Sequence, residues 1–503
     1  MLTPEGRPLY LAEQVRELDR RTIASGINGF ELMQRAAMAA YDALRARWPR
    51  TRRLSVVCGG GNNAGDGYVI AALAVCDGID AQLVAVRDPT TLTGDAARAR
   101  EMAEKAGLRV QAWAPDVEFD GDVVVDALLG TGLNGEVREP FRGAIEAINA
   151  SRKPVLAVDI PSGLSADSGA VLGCAVDATL TVTFIGDKLG LHTGAAVAHV
   201  GEHRLEALGV DVAVHDDLVP AARLLDIRLV GAWLPPRRRD SHKGHYGHVL
   251  VLGGAPGFGG AALLASECAA RLGAGLISLA TAPEHVTASL VRCPEVMVRG
   301  VRSATEISEL LKAVDVLVVG PGLAQGSWGQ AMLQAALGAG KPLVLDADAL
   351  NLLAKHWPQL HRDDWILTPH PGEAARLLGT TTAQIQADRS WAVRELQRRR
   401  GGCVILKGAG SLIAGPAGVG VCPYGNPGMA SGGMGDALSG MLGALVAQRL
   451  PCEVAARLGA VLHASAADAA AQAAGERGLL ASDLACYARR LANPRNQDAG
   501  ETR

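Results

Sequence analysis

Apolar positions along the chain alternate between two periods. Short runs of branched residues recur between longer stretches whose apolar residues fall three and four apart. The runs predict buried strands, and the stretches predict helices laid against them. In the first half, helices are expected at 10–26 and 29–48, separated by Ser25-Gly26. Strands follow at 54–58, 81–86, 122–126 and 155–159, with helices running to Cys76, over 93–106 and over 140–150. In the second half, strands are expected at 248–252, 276–280, 314–319, 343–346, 366–367 and 404–406, and a hairpin over 412–422. Helices are expected to Leu272 and at 284–291, 305–313, 328–338, 348–356, 371–378, 382–399, 434–448, 452–473 and 482–491. Strands that alternate with helices imply parallel, doubly wound sheets, so the expected fold class is α/β with two such domains. Regular alternation fades over 207–236, which ends in Pro235-Pro236 directly before Arg237-Arg238-Arg239 and reads as a connector. The expected domains are 1–215 and 225–492, and the polar tail 493–503 is expected to be disordered.

Composition narrows this picture in three ways. A chain of 503 residues exceeds one core, and 49% hydrophobic with 20% charged residues is globular. The net charge is −3 with both signs mixed, which argues against nucleic acid as a partner. Nine scattered cysteines without a Cys-x-x-Cys pair fit a reducing compartment, and no apolar run is long enough to span a bilayer. The expected location is cytoplasmic, without membrane partners.

Chemistry concentrates where predicted strands end. Gly59-Gly60-Gly61-Asn62-Asn63-Ala64-Gly65-Asp66-Gly67 follows the first strand. Asp126 ends another, before Gly130-Thr131-Gly132-Leu133-Asn134-Gly135-Glu136, and Asp159 ends a third, before Ile160-Pro161-Ser162-Gly163. In open α/β sheets ligands bind outside the carboxyl ends of strands, so these loops can converge on one pocket. Asn63, Asp126 and Ser162 offer oxygen ligands suited to a hard cation. Each alone reads more readily as a loop cap than as a ligand. Gly130-x-Gly132-x-x-Gly135 also matches a dinucleotide fingerprint, but Glu136 would crowd a pyrophosphate.

The second half ends its strands with Gly320-Pro321-Gly322, Asp346-Ala347-Asp348, His370-Pro371-Gly372-Glu373 and Lys407-Gly408-Ala409-Gly410-Ser411. It then presents Asn426-Pro427-Gly428-Met429-Ala430-Ser431-Gly432-Gly433-Met434-Gly435-Asp436, a loop that becomes a helix. The amides of that first turn would form an anion hole with a carboxylate beside it, which suits phosphoryl transfer. A glycine-rich stop followed by an Asp cap is the plainer alternative. There is no Gly-x-x-x-x-Gly-Lys-Ser/Thr, so the nucleotide is not held as in P-loop proteins.

These ordered motifs make a resemblance specific. The first half resembles the NAD(P)H-hydrate epimerase domain, and residues 240–490 resemble the ribokinase-like NAD(P)H-hydrate dehydratase domain. The resemblance implies an enzyme that epimerises hydrated NADH or NADPH and dehydrates the S form with ADP or ATP. It implies potassium at Asn63, Asp126 and Ser162, and hydrate binding by 62–66, 130–136 and Asp159. It further implies hydrate contacts at Ala261, Gly322, His370 and Asp436. Nucleotide, with Mg²⁺, is expected at Lys407, Gly408, Ala409, Gly410, Ser411 and Gly435. Asp159 and Asp436 are the expected catalytic residues, with Lys188 a second acid/base candidate. A homo-oligomer is the expected assembly. Met434 stands where many relatives carry Thr. A sugar or vitamin kinase fused to a Rossmann-like partner, and a non-enzymatic first domain, are the competing readings.

Overall fold

The computed structural model describes residues 6–493; the expectation for the tail falls almost wholly outside them. The described residues pack as two compact units, Pro8–Ala222 and residues 223–493 with 6–7.

The first unit holds a seven-stranded sheet in the order Val110–Ala112, Asp80–Ala85, Arg53–Cys58, Val123–Ala127, Val155–Val158, Leu180–Phe184, Glu202–Glu206. Every pair is parallel. Alternate residues feed opposite faces. Val56, Val125 and Leu156 pack under the helices Gly29–Arg47 and Asn62–Cys76, while Val57, Val124 and Val155 pack on the side of Phe141–Ala150. Burying a side chain of this size contributes about 1.5–3 kcal/mol, so both faces must be covered. The chain starts mid-sheet at Arg53–Cys58, runs outward, then returns to lay Val123–Ala127 on its other side. That reversal opens a crevice between the two strands' carboxyl ends.

Three of these strands escape the sequence pattern. In Leu180–Phe184 the buried Thr181 and Thr183 mask an apolar run; Thr181 Oγ1 donates to the Val200 carbonyl at 2.7 Å. Val110–Ala112 and Glu202–Glu206 lie at the edges, the first only three residues long and the second largely polar.

In the second unit, parallel strands run Cys403–Leu406, Trp365–Leu367, Leu343–Leu345, Val316–Val319, His248–Leu252, Leu276–Thr281, Met297–Gly300. The antiparallel hairpin Ser411–Gly415 and Gly418–Cys422 extends one side. The connector is less irregular than expected: Arg223 and Leu224 pair with Gly420 and Val421, and Leu229–Trp233 is a short helix. The expected helix 382–399 is two helices, Thr382–Ala387 and Arg389–Arg400, because Asp388 accepts the Trp391 N–H at 2.8 Å and starts a new one.

The helix Met434–Ala447 sits in the core of this unit. A Cβ at Gly440 would stand 2.0 Å from the Ala265 carbonyl oxygen, so this helix and Gly259–Arg271 touch backbone to backbone. Small residues thereby fix where the first turn, with Asp436, points.

Candidate active sites

At the crevice of the first unit lies a cavity of about 800 Å³. Its wall includes Asn62, Asn63, Asp66, Gly130, Thr131, Gly132, Leu133, Asn134 and Asp159, with Asp19 and Phe184. Ala64 and Gly65 turn into the helix packing instead: a Cβ on Gly65 would meet the Met33 thioether at 2.6 Å. Gly135 and Glu136 fall outside the wall.

Asp159 has φ +67°, a left-handed conformation that few non-glycine residues adopt. It turns the carboxylate toward Lys188, whose wholly buried Nζ donates to Asp159 Oδ1 at 2.6 Å and to Thr183 Oγ1 at 2.7 Å. Three further acids, Asp19, Asp66 and Asp95, line the cavity. Burial and then the Asp159 charge push Asp19 up to about 6, with Lys188 opposing, and the same two causes with Asp19 raise Asp66 well above the carboxylate range. Asp19 was invisible in the sequence, where one charged residue in the amphipathic helix Ala12–Ala24 looks solvated.

Beside these lies an oxygen-rich niche. Asp126 is fully buried; its carboxylate accepts Ser162 Oγ–H at 2.6 Å, Ser162 N–H at 2.8 Å and Leu128 N–H at 3.2 Å. Ser162 Oγ in turn accepts the Leu129 N–H at 2.8 Å. Burial nevertheless raises Asp126 to about 6. Both amide atoms of Asn63 are buried with no hydrogen-bond partner. An unpartnered amide oxygen, a buried carboxylate and a hydroxyl are a donor set that a hard cation fits.

In the second unit every candidate loop leaves the same edge of the parallel strands. Lys407, after Cys403–Leu406, donates to Asp346 Oδ1 at 2.7 Å and stands 4.0 Å from Glu373 Oε2. Burial works against this ammonium, but Asp346 and Glu373 outweigh it and raise its pKa. The loop beneath is pinned by the buried Arg389, which donates to the carbonyls of Leu406 and Lys407 at 3.2 and 3.3 Å. Gly408 and Ala409 are exposed on that loop, Gly410 is buried, and Ser411 Oγ donates to the Gly408 carbonyl at 3.0 Å.

His370 caps its own helix, its Nδ1 accepting the Gly372 and Glu373 N–H groups at 3.0 and 3.4 Å; burial and then Lys407 lower its pKa. Glu373 Oε2 accepts the His370 N–H at 2.8 Å, and burial pushes this carboxyl up to about 7. Gly322 and Ala261 form a separate contact: a Cβ on Gly322 would meet that of Ala261 at 3.3 Å.

The helix Met434–Ala447 has Gly433 as N-cap at φ +91°, with no side chain capping its first amides. Those amides are therefore left for a ligand. Asp436 in this turn is pushed up to about 7 by burial and then by Asp346, with Lys407 opposing. Gly435 lies under the ion pair: a Cβ there would stand 3.0 Å from Asp346 Oδ2 and 3.2 Å from Lys407 Nζ. Gly435→Ala is expected to displace the pair and lower the activity of the second unit roughly 10- to 100-fold, the scale of loss for a misplacement of about 1 Å, leaving that of the first unit unchanged; steady-state assays of both activities check this.

The cavity of about 1210 Å³ in the second unit, lined by Arg237, Tyr246, Arg271 and Arg489 among others, shares no residue with these loops. The His242-x-x-His245-x-x-His248 pattern does not converge: His248 Nε2 bonds Ser278 Oγ at 2.9 Å, while His242 and His245 stack on each other at 3.7 Å.

Fold and sites together define a two-unit α/β protein, one unit Rossmann-like and the other ribokinase-like. Comparison with known proteins makes this particular. Residues 249–490 match the family model described as NAD(P)H-hydrate dehydratase, and residues 29–190 match YjeF-related protein N-terminus. The chain is 49% identical over 487 residues to the bifunctional NAD(P)H-hydrate repair enzyme Nnr of Coxiella burnetii, covering 97% of this chain and 99% of that one. It is 42% identical over 496 residues to the enzyme of the same name from Escherichia coli, covering 97% and 95%. A crystal structure of a ribokinase-like superfamily protein from Enterococcus faecalis aligns with TM-score 0.50 and 26% identity, over 56% of this chain and 100% of that one. The chain belongs to the bifunctional NAD(P)H-hydrate repair enzymes, which join an epimerase to a dehydratase. No helix among the described residues is long and apolar enough to cross a membrane.

Proposed function

We propose that residues 1–215 interconvert the R and S hydrates of NADH and NADPH, and that residues 225–492 dehydrate the S form with ADP or ATP. The observation that carries the second half is the uncapped helix start at Gly433 with Asp436 in its first turn and the Lys407–Asp346 pair across Gly435.

Hydroxide is a poor leaving group from C6 of the hydrated ring. Asp436 takes the proton of this hydroxyl as its oxygen attacks the terminal phosphorus of the nucleotide. The bond to the leaving phosphate breaks and releases AMP from ADP, or ADP from ATP. First-turn amides and Lys407 hold the charge that builds on the transferring group. The ring nitrogen lone pair then expels phosphate, and loss of a C5 proton restores the dihydronicotinamide. Mg²⁺ accompanying the nucleotide would share the phosphate charge. Lys407 to Ser411 and Gly435 line the nucleotide; Ala261, Gly322 and His370 face the hydrate.

For epimerisation, a proton passed from Asp159 to the C6 hydroxyl lets the ring nitrogen lone pair break the C6–O bond and release water; water then adds back to C6 from the opposite face and returns the proton to Asp159, whose carboxylate Lys188 holds in place. Asn63, Asp126 and Ser162 would hold a potassium ion, whose positive charge would steady the buried Asp126 carboxylate. A cytoplasmic homo-oligomer fits this reading.

The test is direct. NADH hydrate supplied with ADP, and separately with ATP, should regain absorbance at 340 nm with release of one phosphate per NADH. No recovery with either nucleotide would sink the dehydratase assignment, and a stable phosphorylated product would favour a kinase. Because Asp436 must be ionised to act and its pKa sits at about 7, kcat/KM for the S hydrate should rise with pH up to about 7 and level off above. A profile already flat at pH 5 would remove Asp436 as the base.

A further inference from the structure

One polar cluster of the first unit takes no part in the reactions above. Asp187 follows the strand Leu180–Phe184 and is 1% exposed. Its Oδ1 lies 2.9 Å from His192 Nε2 and 3.0 Å from His203 Nε2. His192 ends the turn Leu189–His192, and His203 lies on the edge strand Glu202–Glu206, opposite Thr181. Three separate segments thus bring two imidazoles onto one carboxylate oxygen, with all three ligand atoms within 4.8 Å of one another. The two rings meet edge to face, centroids 4.7 Å apart.

Two features point beyond a hydrogen-bonded trio. Both nitrogens converge on one oxygen rather than sharing the two of the carboxylate, and His203 Nε2, though buried, makes no well-directed hydrogen bond there. The two imidazole–carboxylate separations, 2.9 and 3.0 Å, also suit coordination. Adjacent ligands about 2.1 Å from a common cation stand roughly 3.0–3.4 Å from each other, so a small shift accommodates an ion.

We propose that Asp187, His192 and His203 bind a first-row divalent cation of the zinc type. Two imidazole nitrogens and one carboxylate oxygen form a borderline donor set that favours zinc or cobalt over magnesium or potassium. The site is distinct from the all-oxygen niche at Asn63, Asp126 and Ser162. Its effect follows from the chain: Asp187 directly precedes Lys188, whose Nζ holds Asp159. A cation here ties the loop bearing Lys188 to the edge strand and fixes the ammonium in the epimerase cavity without touching substrate.

The full chain, stripped with a chelator and dialysed, is titrated with Co²⁺ and with Zn²⁺. Expected are one site per chain by calorimetry, visible d–d bands for cobalt, a zinc-dependent rise in melting temperature, and slower amide exchange over 185–192. His203→Ala and the shape-conserving His203→Gln should each weaken binding roughly 100-fold or more, at least as much as losing an outer-shell partner does. His192→Ala should do the same. His242→Ala/His245→Ala, which removes the stacked pair of the other unit, should leave binding unchanged. Absence of stoichiometric binding below millimolar metal would overturn the proposal and leave a hydrogen-bonded Asp–His pair. Binding retained by folded His203→Gln and His192→Ala would overturn it equally.

Discussion

Asp436→Asn is expected to lower NADH recovery from the S hydrate by about 10²–10⁴-fold, the range a positioned general base supplies, with epimerisation untouched. Asparagine keeps the size of aspartate and Gly433 remains the N-cap, so the anion hole survives while the base is lost. A second readout separates this from damage to the fold. The folded pKa of Asp436 is about 7, against about 3.9 for an unfolded aspartate. As pH rises between these values the unfolded chain releases this proton while the folded chain keeps it. The wild-type carboxyl therefore erodes stability through that window, and the erosion is complete above pH 7. The variant escapes it. Its melting temperature should exceed that of the wild type at pH 8 and converge with it near pH 4. A variant that loses activity and also melts lower at pH 8 would mean a structural role instead.

The physical cause of that raised pKa shows what a sequence can and cannot reveal. Loops that take a phosphate or a hydrate need backbone approach, so Gly433, Gly435 and Gly130 announce themselves, and so do the acids that end strands, Asp126, Asp159 and Asp346. Pairings do not. Lys407 and Asp346 are 61 residues apart and meet only because their strands flank Trp365–Leu367 in one sheet. Burial is equally hidden. Lys188 is an acid/base candidate on paper and equally a solvated loop lysine, and only the sheet shows its Nζ enclosed by Asp159 and Thr183. Strand Leu180–Phe184 was lost for a related reason: threonines that satisfy their hydroxyls internally look polar on paper yet sit in the core. The capping histidine His370 shows the reverse, a polar residue whose hydrogen bonds go to its own helix.

The same enclosure sets the outcome at the other site. Asp159→Asn is expected to stop conversion of the R hydrate, lowering its rate by about 10²–10⁴-fold, with ADP-driven dehydration of the S hydrate unchanged. The substitution is a clean one. Asparagine tolerates the left-handed conformation that Asp159 adopts at φ +67°, so the turn need not move. Its amide keeps an oxygen for the Lys188 ammonium but carries no charge and takes up no proton. The buried Lys188 then lacks its counter-ion, 2.6 Å away in the wild type, so the variant should also be less stable, by an amount that grows as this lysine is held charged. Removing Lys188 in the same chain gives the deciding comparison. If Asp159→Asn destabilises only by stranding the ammonium, Lys188→Met added to it should restore the melting temperature while R-hydrate conversion stays lost. Recovery of epimerisation in that double variant would transfer the proton-moving role to another acid of the cavity, with Asp19 and Asp66 the groups at hand.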